Sequence, residues 1–349
     1  DRAVGRKGKL TAALLLLGTS TVAMGLVPSY DTLGWWAIAI MALLRIGQGL
    51  ALGGTWDGLP SLLALSVSRE KRGFYAMIPQ LGAPIGLAVA ALLYAYLLIN
   101  VSADEFVDWG WRYPFFVAFA INVVALFARL RIVASPEFDD MLNSSELRPS
   151  RIRPTLKQDG KSMILGIFMP LASFAMFHMV TIFPLSWVFL YSNDPPEAVL
   201  YSLIWGSVAG IVSIVASGYI ADKIGRRRLL MLGALAIGAF AVLGPLLLAG
   251  GREGATTYIV LGFVLLGLSF GQSSGVIASL FGKKNRYTAS ALVASLSWMF
   301  GAGFAPLTAL SMSSVLGLWA AGVYLGSGVI CTVIAIQSSR RGQMEITDE

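Results

Sequence analysis

Histidine and cysteine are almost missing from this chain: His178 and Cys331 are the single representatives of each in 349 residues. One cysteine excludes an internal disulfide and any cysteine-built metal cluster, and one histidine excludes a multi-histidine metal site. Charge is scarce too. Only 13% of residues are Asp, Glu, Lys or Arg, against 56% hydrophobic, whereas a domain dissolved in water carries about a quarter charged residues. No Gly-x4-Gly-Lys-Ser/Thr loop is present to cradle nucleotide phosphates, so ATP-driven pumping by this chain is set aside. No catalytic constellation is found either, because the one histidine lies within an apolar stretch, and an enzyme is not expected. No cofactor or metal is implied. The net charge of +7 would suit nucleic acid, but the basic groups flank apolar runs, where membrane orientation explains them.

Ten apolar stretches of roughly bilayer length fill the chain. The expected helices cover 10–28, 35–66, 75–99, 112–131, 162–191, 199–220, 228–250, 255–281, 287–313 and 316–337. The sequence begins with Asp1, inside a charged segment and without Met, so a longer protein is expected upstream. Alternate loops carry Arg2, Arg6, Lys7 and Lys9; Arg69, Lys71 and Arg72; the basic residues between Arg129 and Lys161; Lys223 and Arg226 to Arg228; Lys283, Lys284 and Arg286; and Arg340 with Arg341. The opposite loops hold only Arg112 and Arg252, with Asp31, Asp104, Glu105, Asp108, Asp194, Glu197 and Glu253. Basic loops are retained in the cytoplasm, so both ends of the chain are expected there. Trp35, Trp36, Trp109, Trp111, Tyr113 and Tyr191 fall at the opposite helix ends, where amphipathic rings favour the interface.

The longest polar stretch, 132–161, holds Pro136, Pro149 and Pro154 and reads as a cytoplasmic linker. It separates an N-terminal bundle of four helices, 1–131, from a C-terminal bundle of six, 162–349. A repeat relates them. Asp222-Lys223-Ile224-Gly225-Arg226-Arg227 lies between two helices of the second half, and Asp1-Arg2-Ala3-Val4-Gly5-Arg6-Lys7 opens the first. Each is followed by four helices, and two more precede the second copy; symmetry then expects twelve helices, of which ten are present. Physically the motif suits a tight turn: Gly permits a sharp backbone, Arg and Lys hold it inside, and Asp can meet a basic side chain or a helix N-terminus. A plain turn with retention charges is the alternative.

Gly218 through Asp222 to Arg227 resembles, without gaps, the G-x-x-x-D-R-x-G-R-R hallmark of the major facilitator superfamily. The first copy carries one extra residue between Asp1 and Gly5. More specifically, the chain is similar to the metabolite:H⁺ symporter family in Leu44-Arg45-Ile46-Gly47-Gln48-Gly49, Gly53-Gly54-x-Trp56, Arg72-Gly73-Phe74-Tyr75 and Pro79-Gln80-Leu81-Gly82. Trp109-Gly110-Trp111-Arg112-Tyr113-Pro114-Phe115 and Arg286-Tyr287-Thr288 continue the likeness. The resemblance implies an all-α membrane bundle that takes up metabolites with protons by alternating access in a bacterial inner membrane. Thr55 and Leu65 stand where members of that family usually carry acids.

Ionisable groups inside a bilayer are expensive and usually face a cavity or a partner. Arg45, Asp57 and His178 are the three candidates within the expected spans. Arg45 shares a helix side with Gln48, Leu52 and Trp56 at about 100° per residue; its planar fork could hold a carboxylate, or it could pair between helices and only stabilise the bundle. Asp57, whose pKa burial would raise, could exchange the coupling proton, or it could brace the charged turns. His178 would titrate in a useful range, but a lone His in an aromatic helix is more often a hydrogen-bonded packing residue; Pro170 and Pro184 flank it and could break the helix. Gln80 and Trp187, with Asn122 and Gln272, are further candidates for lining the pathway or for packing. The small-residue pairs Gly49/Gly53, Gly82/Gly86 and Gly206/Gly210 should let helices approach closely.

The expected function is proton-coupled symport of a small organic acid or related metabolite by a monomer. Arg45, Gln48, Trp56, Gln80 and Trp187 would hold the solute, Asp57 and His178 would exchange the proton, and the turns of Asp1, Arg2, Gly5 and Arg6 and of Asp222, Gly225, Arg226 and Arg227 would gate. An uncoupled facilitator and a truncated, non-transporting membrane protein are the alternatives.

Overall fold

The computed structural model describes residues 5–55, 63, 67–133, 149–192 and 194–340. Asp1, Arg2, Trp56, Asp57 and Leu65 lie outside the described residues, as do 134–148 of the expected linker. In chain order the helices are α1 Gly5–Leu26, α2 Tyr30–Leu33, α3 Trp35–Gly54, α4 Arg72–Met77, α5 Gly82–Asn100, α6 Ala103–Asp108 and α7 Tyr113–Val133. There follow α8 Ile152–Phe168, α9 Leu171–Thr181, α10 Phe183–Tyr191, α11 Pro196–Ile224 and α12 Arg226–Ala249. The last are α13 Gly251–Phe270, α14 Ser273–Ser279, α15 Arg286–Trp298, α16 Ala305–Leu316 and α17 Trp319–Arg340. Among the described residues, ten helical runs are long and apolar enough to cross a membrane. Four of them are interrupted: α4 and α5 are joined by a 3-10 turn at Ile78–Leu81, α8 to α10 are offset at Met169 and Ile182, α13 and α14 break at Gly271, and a π-helical turn, Met299–Gly303, joins α15 to α16.

The chain falls into two compact units, residues 1–59 with 93–149, and 60–92 with 150–349. In the first, α1 packs on α3 and α7. Close approach runs through Gly47, where an added Cβ would meet Ser20 Oγ at 2.8 Å, and Gly54, where it would meet the Ala13 methyl at 2.7 Å. Gly49 and Gly53 have nothing within 4 Å among the described residues; the seam follows i, i+7 on the other side of the helix, because the face turned to α1 carries Gln48 and not Gly49. A capping box starts α6: Glu105 N–H donates to Ser102 Oγ at 3.3 Å, and the Ser102 N–H donates to Glu105 Oε2 at 3.2 Å. Hydrogen bonds from the Ser102 side chain and backbone hold the Glu105 carboxyl below its ordinary pKa. Arg112 then lies over the rings of Trp111 and Trp109, at 4.3 and 5.3 Å from their centroids, and donates to the Val27 carbonyl at 3.1 Å, fixing where α7 begins.

In the second unit α11 and α13 form the most extensive helix pair. Here the expected small-residue contact is present: a Cβ on Gly206 or Gly210 would meet the Phe263 ring at 2.6 or 3.0 Å. Gly206→Val is therefore expected to overpack this seam and to lower stability by about 1–3 kcal/mol, read as a fall in the thermal midpoint of the detergent-solubilised protein, with Gly49→Val as the neutral comparison. Gly82 and Gly86, by contrast, have open space around them among the described residues. A buried cluster of Met163, Ile167, Ile277, Phe281, Ala289 and Val293 joins α8 to α14 and α15. Thr332 ties the α8/α9 offset to α17, donating to the Phe168 carbonyl at 3.1 Å and accepting from the Ala172 N–H at 2.9 Å.

Residues 152–161, read from sequence as part of a linker, are the first turns of α8. Pro154 misled that reading. It occupies the first turn, where a missing N–H breaks no helical bond. The turn is pinned by Ser150, whose hydroxyl bonds Thr155 Oγ1 at 2.7 Å and whose N–H donates to Thr288 Oγ1 at 2.9 Å.

Candidate functional site

The charged turn between α11 and α12 is built as follows. Gly225 has φ +88°, a left-handed conformation that reverses the chain between two long helices, and Gly5 of the first motif copy has φ +74°. Asp222, in the last turn of α11, accepts the N–H groups of Gly73 at 2.6 Å and Phe74 at 3.1 Å, so one carboxylate closes the N-terminus of α4. Of the two partners open to this Asp from sequence, it takes the helix N-terminus. The backbones meet because both sides are glycine: a Cβ on Gly73 would lie 2.9 Å from the Gly218 carbonyl, and one on Gly218 would lie 2.9 Å from Phe74 Cα. Gly218, first residue of the motif, thus sets the distance at which Asp222 can cap.

Arg226 extends from the turn beside Gly275 and Ala76, and its Nη1 is buried without a hydrogen-bond partner among the described residues. Arg227 donates to the Ile336 carbonyl and so anchors α12 to α17. Gln272 is fully buried at the α13/α14 break. Its Nε2 donates to the Gly73 carbonyl and to Ser217 Oγ, both at 3.2 Å, which makes it part of this seal. Ser274 Oγ reaches the Ala76 carbonyl at 3.4 Å.

His178 sits in the last turn of α9, half-buried, and its Nδ1 has no hydrogen-bond partner among the described residues. Around it are aromatic rings from three broken helical runs. Phe177 and Trp298 lie 5.3 and 6.4 Å from its imidazole, and Trp298 stacks on Phe174 at 4.7 Å. Phe270 completes the group, 5.5 Å from Phe177 and 5.9 Å from Trp298. Each break serves this cluster. The π turn begins immediately after Trp298, and its Gly301 lies against Phe174, where a Cβ would come within 2.7 Å. Gly271 follows Phe270, and Ile182 with Pro184 ends α9 one turn beyond His178. Tyr258 Oη satisfies the Met179 carbonyl at 2.9 Å beside that last break. An apolar pocket of about 10 Å³, lined by Phe177, Phe270 and the start of α5 at Ala83 and Pro84, adjoins the cluster. It is water-sized at most.

In the first unit Arg45 is exposed, and a short polar string runs inward from it: Arg45 Nη1 donates to Gln48 Oε1 at 3.1 Å, and Gln48 Nε2 to Thr21 Oγ1 at 2.9 Å. Thr55 donates to its own helix at the Leu52 carbonyl, 2.8 Å away. Asn122 lies against Gly18 of α1.

Gln80 stands on the 3-10 turn at Ile78–Leu81, half-buried. Trp187 stacks between Phe183 and Tyr191 on α10, at 6.2 and 4.4 Å, and is not among the rings around His178. Trp298, Phe174, Phe177 and Phe270 escaped the sequence reading because aromatics are ordinary in apolar helices; the signal that could have found them is the Met299-Phe300-Gly301-Ala302-Gly303 run, which marks a break next to a Trp. Gly267-Leu268-Ser269-Phe270-Gly271 spells the pattern of a nucleophile elbow, but Ser269 lies within α13 and donates back to the carbonyls of Leu265 and Leu266.

The family model described as Major Facilitator Superfamily matches residues 1–306. The chain is 32% identical over 339 residues to the Inner membrane metabolite transport protein YhjE of Escherichia coli K12, covering 95% of this chain and 77% of that protein. It is 26% identical over 351 residues to the Shikimate transporter of the same organism, covering 97% and 79%. In fold it is similar to the crystal structure of a D-xylose-proton symporter, with TM-score 0.70 at 18% identity, over 96% of this chain and 80% of that one.

Proposed function

The chain belongs to the major facilitator superfamily and is a multi-pass membrane transporter, not an enzyme, and from that premise we propose that it carries a small organic acid or related metabolite together with protons. The observation that carries the coupling half of this reading is His178: an imidazole whose Nδ1 is unpartnered among the described residues, set among rings from three helical runs that are all broken beside it. Discontinuous membrane helices are the usual frame of a transport site, since their breaks let side chains rearrange without dismantling the bundle. Asp57, outside the described residues, is the second candidate for the proton. Solute class rests on Arg45. Its fork, steadied by Gln48 and Thr21, is matched to a carboxylate, and a shikimate carrier stands among the relatives. Asp222 on the end of α4 would hold one state of the alternating cycle closed, with release of the cap as the opening step. The bacterial inner membrane, with both ends of the chain cytoplasmic and a monomer as the working unit, belongs to the same proposal.

An uncoupled facilitator is the second reading, favoured by Thr55, whose hydroxyl is spent on its own helix at a position where related symporters usually carry an acid. One experiment separates the two. Purified protein in proteoliposomes is given an imposed pH gradient, acid outside, and screened with organic acids. The expected result is accumulation against the solute gradient that His178→Gln abolishes while leaving solute counterflow. Uptake indifferent to the pH gradient would establish the facilitator instead, and no uptake of any organic acid would remove the carboxylate.

A further inference from the structure

We propose that the outer face of α8, where it emerges from the bilayer, is a docking site for an anionic phospholipid headgroup. The helix begins well before its apolar stretch. The span that contains it runs over 40 residues, Ile152–Tyr191, about twice what a bilayer needs, and its first ten residues are polar enough to lie outside the hydrocarbon. The inner face of those turns is clamped to the bundle. Thr155 is fully buried, and Asp159 Oδ2 accepts from Asn285 Nδ2 at 2.7 Å.

The outer face is what remains exposed. At about 100° per residue, Arg153, Lys157 and Lys161 follow one another at i, i+4 and i+8, opposite Thr155, Asp159 and Met163. All three are exposed. Ile164 lies on the same side, 59% exposed, an apolar side chain suited to acyl chains. Arg153 and Lys157 therefore stand directly above a lipid-facing residue, roughly 16 and 10 Å further along the axis, the depth range of the headgroup layer. Leu156, 49% exposed, borders the basic row at the level of the headgroup layer. Asp159, the only acid of this helical segment, is turned inward and occupied by Asn285. The nearby loop adds Lys284, also exposed. A row of three cations above an apolar surface, held rigid and free of acids within α8, matches a lipid phosphate more closely than it matches a soluble anion, which would gain nothing from Leu156 and Ile164.

The test uses the whole chain, reconstituted with equimolar phosphatidylcholine and phosphatidylglycerol, extracted, and examined by native mass spectrometry for retained lipid. Wild type should retain phosphatidylglycerol preferentially. Replacing the three cations together, Arg153→Gln, Lys157→Gln and Lys161→Gln, should reduce that preference roughly a hundredfold, and the charge-keeping set Arg153→Lys, Lys157→Arg and Lys161→Arg should keep it. An unchanged preference in the neutralised protein overturns the proposal. So does the opposite pattern, in which a poly-glutamate peptide binds the detergent-solubilised wild type through these residues and phosphatidylglycerol cannot displace it.

Discussion

Asp222→Ala is expected to lower uptake in proteoliposomes at least tenfold while leaving the protein folded. The carboxylate accepts two backbone N–H groups of α4 at 2.6 and 3.1 Å, and hydrogen bonds to a charged group are worth about 1.5–3 kcal/mol each. A closed state that loses even one of them shifts its equilibrium by roughly tenfold or more. The effect should be conformational. Asp222→Asn keeps an acceptor oxygen and should fall between wild type and Ala. A reporter checks the mechanism: with Cys331 replaced by Ser, a cysteine placed by Ser274→Cys, beside the Ala76 carbonyl, should react faster with maleimide when Asp222 is Ala. Wild-type uptake together with unchanged labelling would remove Asp222 from the gate and leave it a plain turn residue.

Arg45→Ala is the second large effect. Because Arg45 is exposed and its one described hydrogen bond is to Gln48 on the same helix, its removal should change stability by about 0.5 kcal/mol or less. Uptake of an organic acid should nevertheless fall tenfold or more, through KM, if the guanidinium binds the solute. Arg45→Lys, which keeps the charge but not the fork, should recover only part of that loss. Gln48→Ala should be milder, since it frees Arg45 from its anchor on Thr21 without removing the charge. A fall in the thermal midpoint parallel to the fall in uptake would favour the structural role for Arg45 instead.

Much of this architecture was legible in the sequence because bilayer spans are written locally. Twenty apolar residues make a membrane helix whatever lies elsewhere in the chain, and the ten expected runs have counterparts in the ten helical runs long and apolar enough to cross. Helix ends were less legible. Pro154 reads as a breaker by residue type, yet in a first turn it breaks nothing, and α8 begins ten residues before the expected 162. Glycine pairs were equally ambiguous: Gly206 and Gly210 sit in a seam, while Gly49 and Gly53 meet no neighbour among the described residues, although their spacing is the same. Spacing states that a close approach is allowed, and only the neighbouring helix states whether it is used.

The candidate site divides along the same line. Arg45 and His178 stood out from sequence because each is a polar group where lipid surroundings make polarity costly. That His178 is surrounded by Trp298, Phe177 and their neighbours could not be read, since those rings come from runs far apart in the chain and no local pattern ties them together.

Composition and the placement of Lys and Arg dictate a transmembrane helical protein with charged turns, because the free energy of moving each residue into lipid is a property of that residue and its immediate neighbours. Which helix end Asp222 closes is of another kind. Its partners are 149 and 148 positions away, and they are reached only because Gly218 and Gly73 allow two backbones to touch; that pairing is a product of packing between helices, where the lost space of a single methyl group would forbid it.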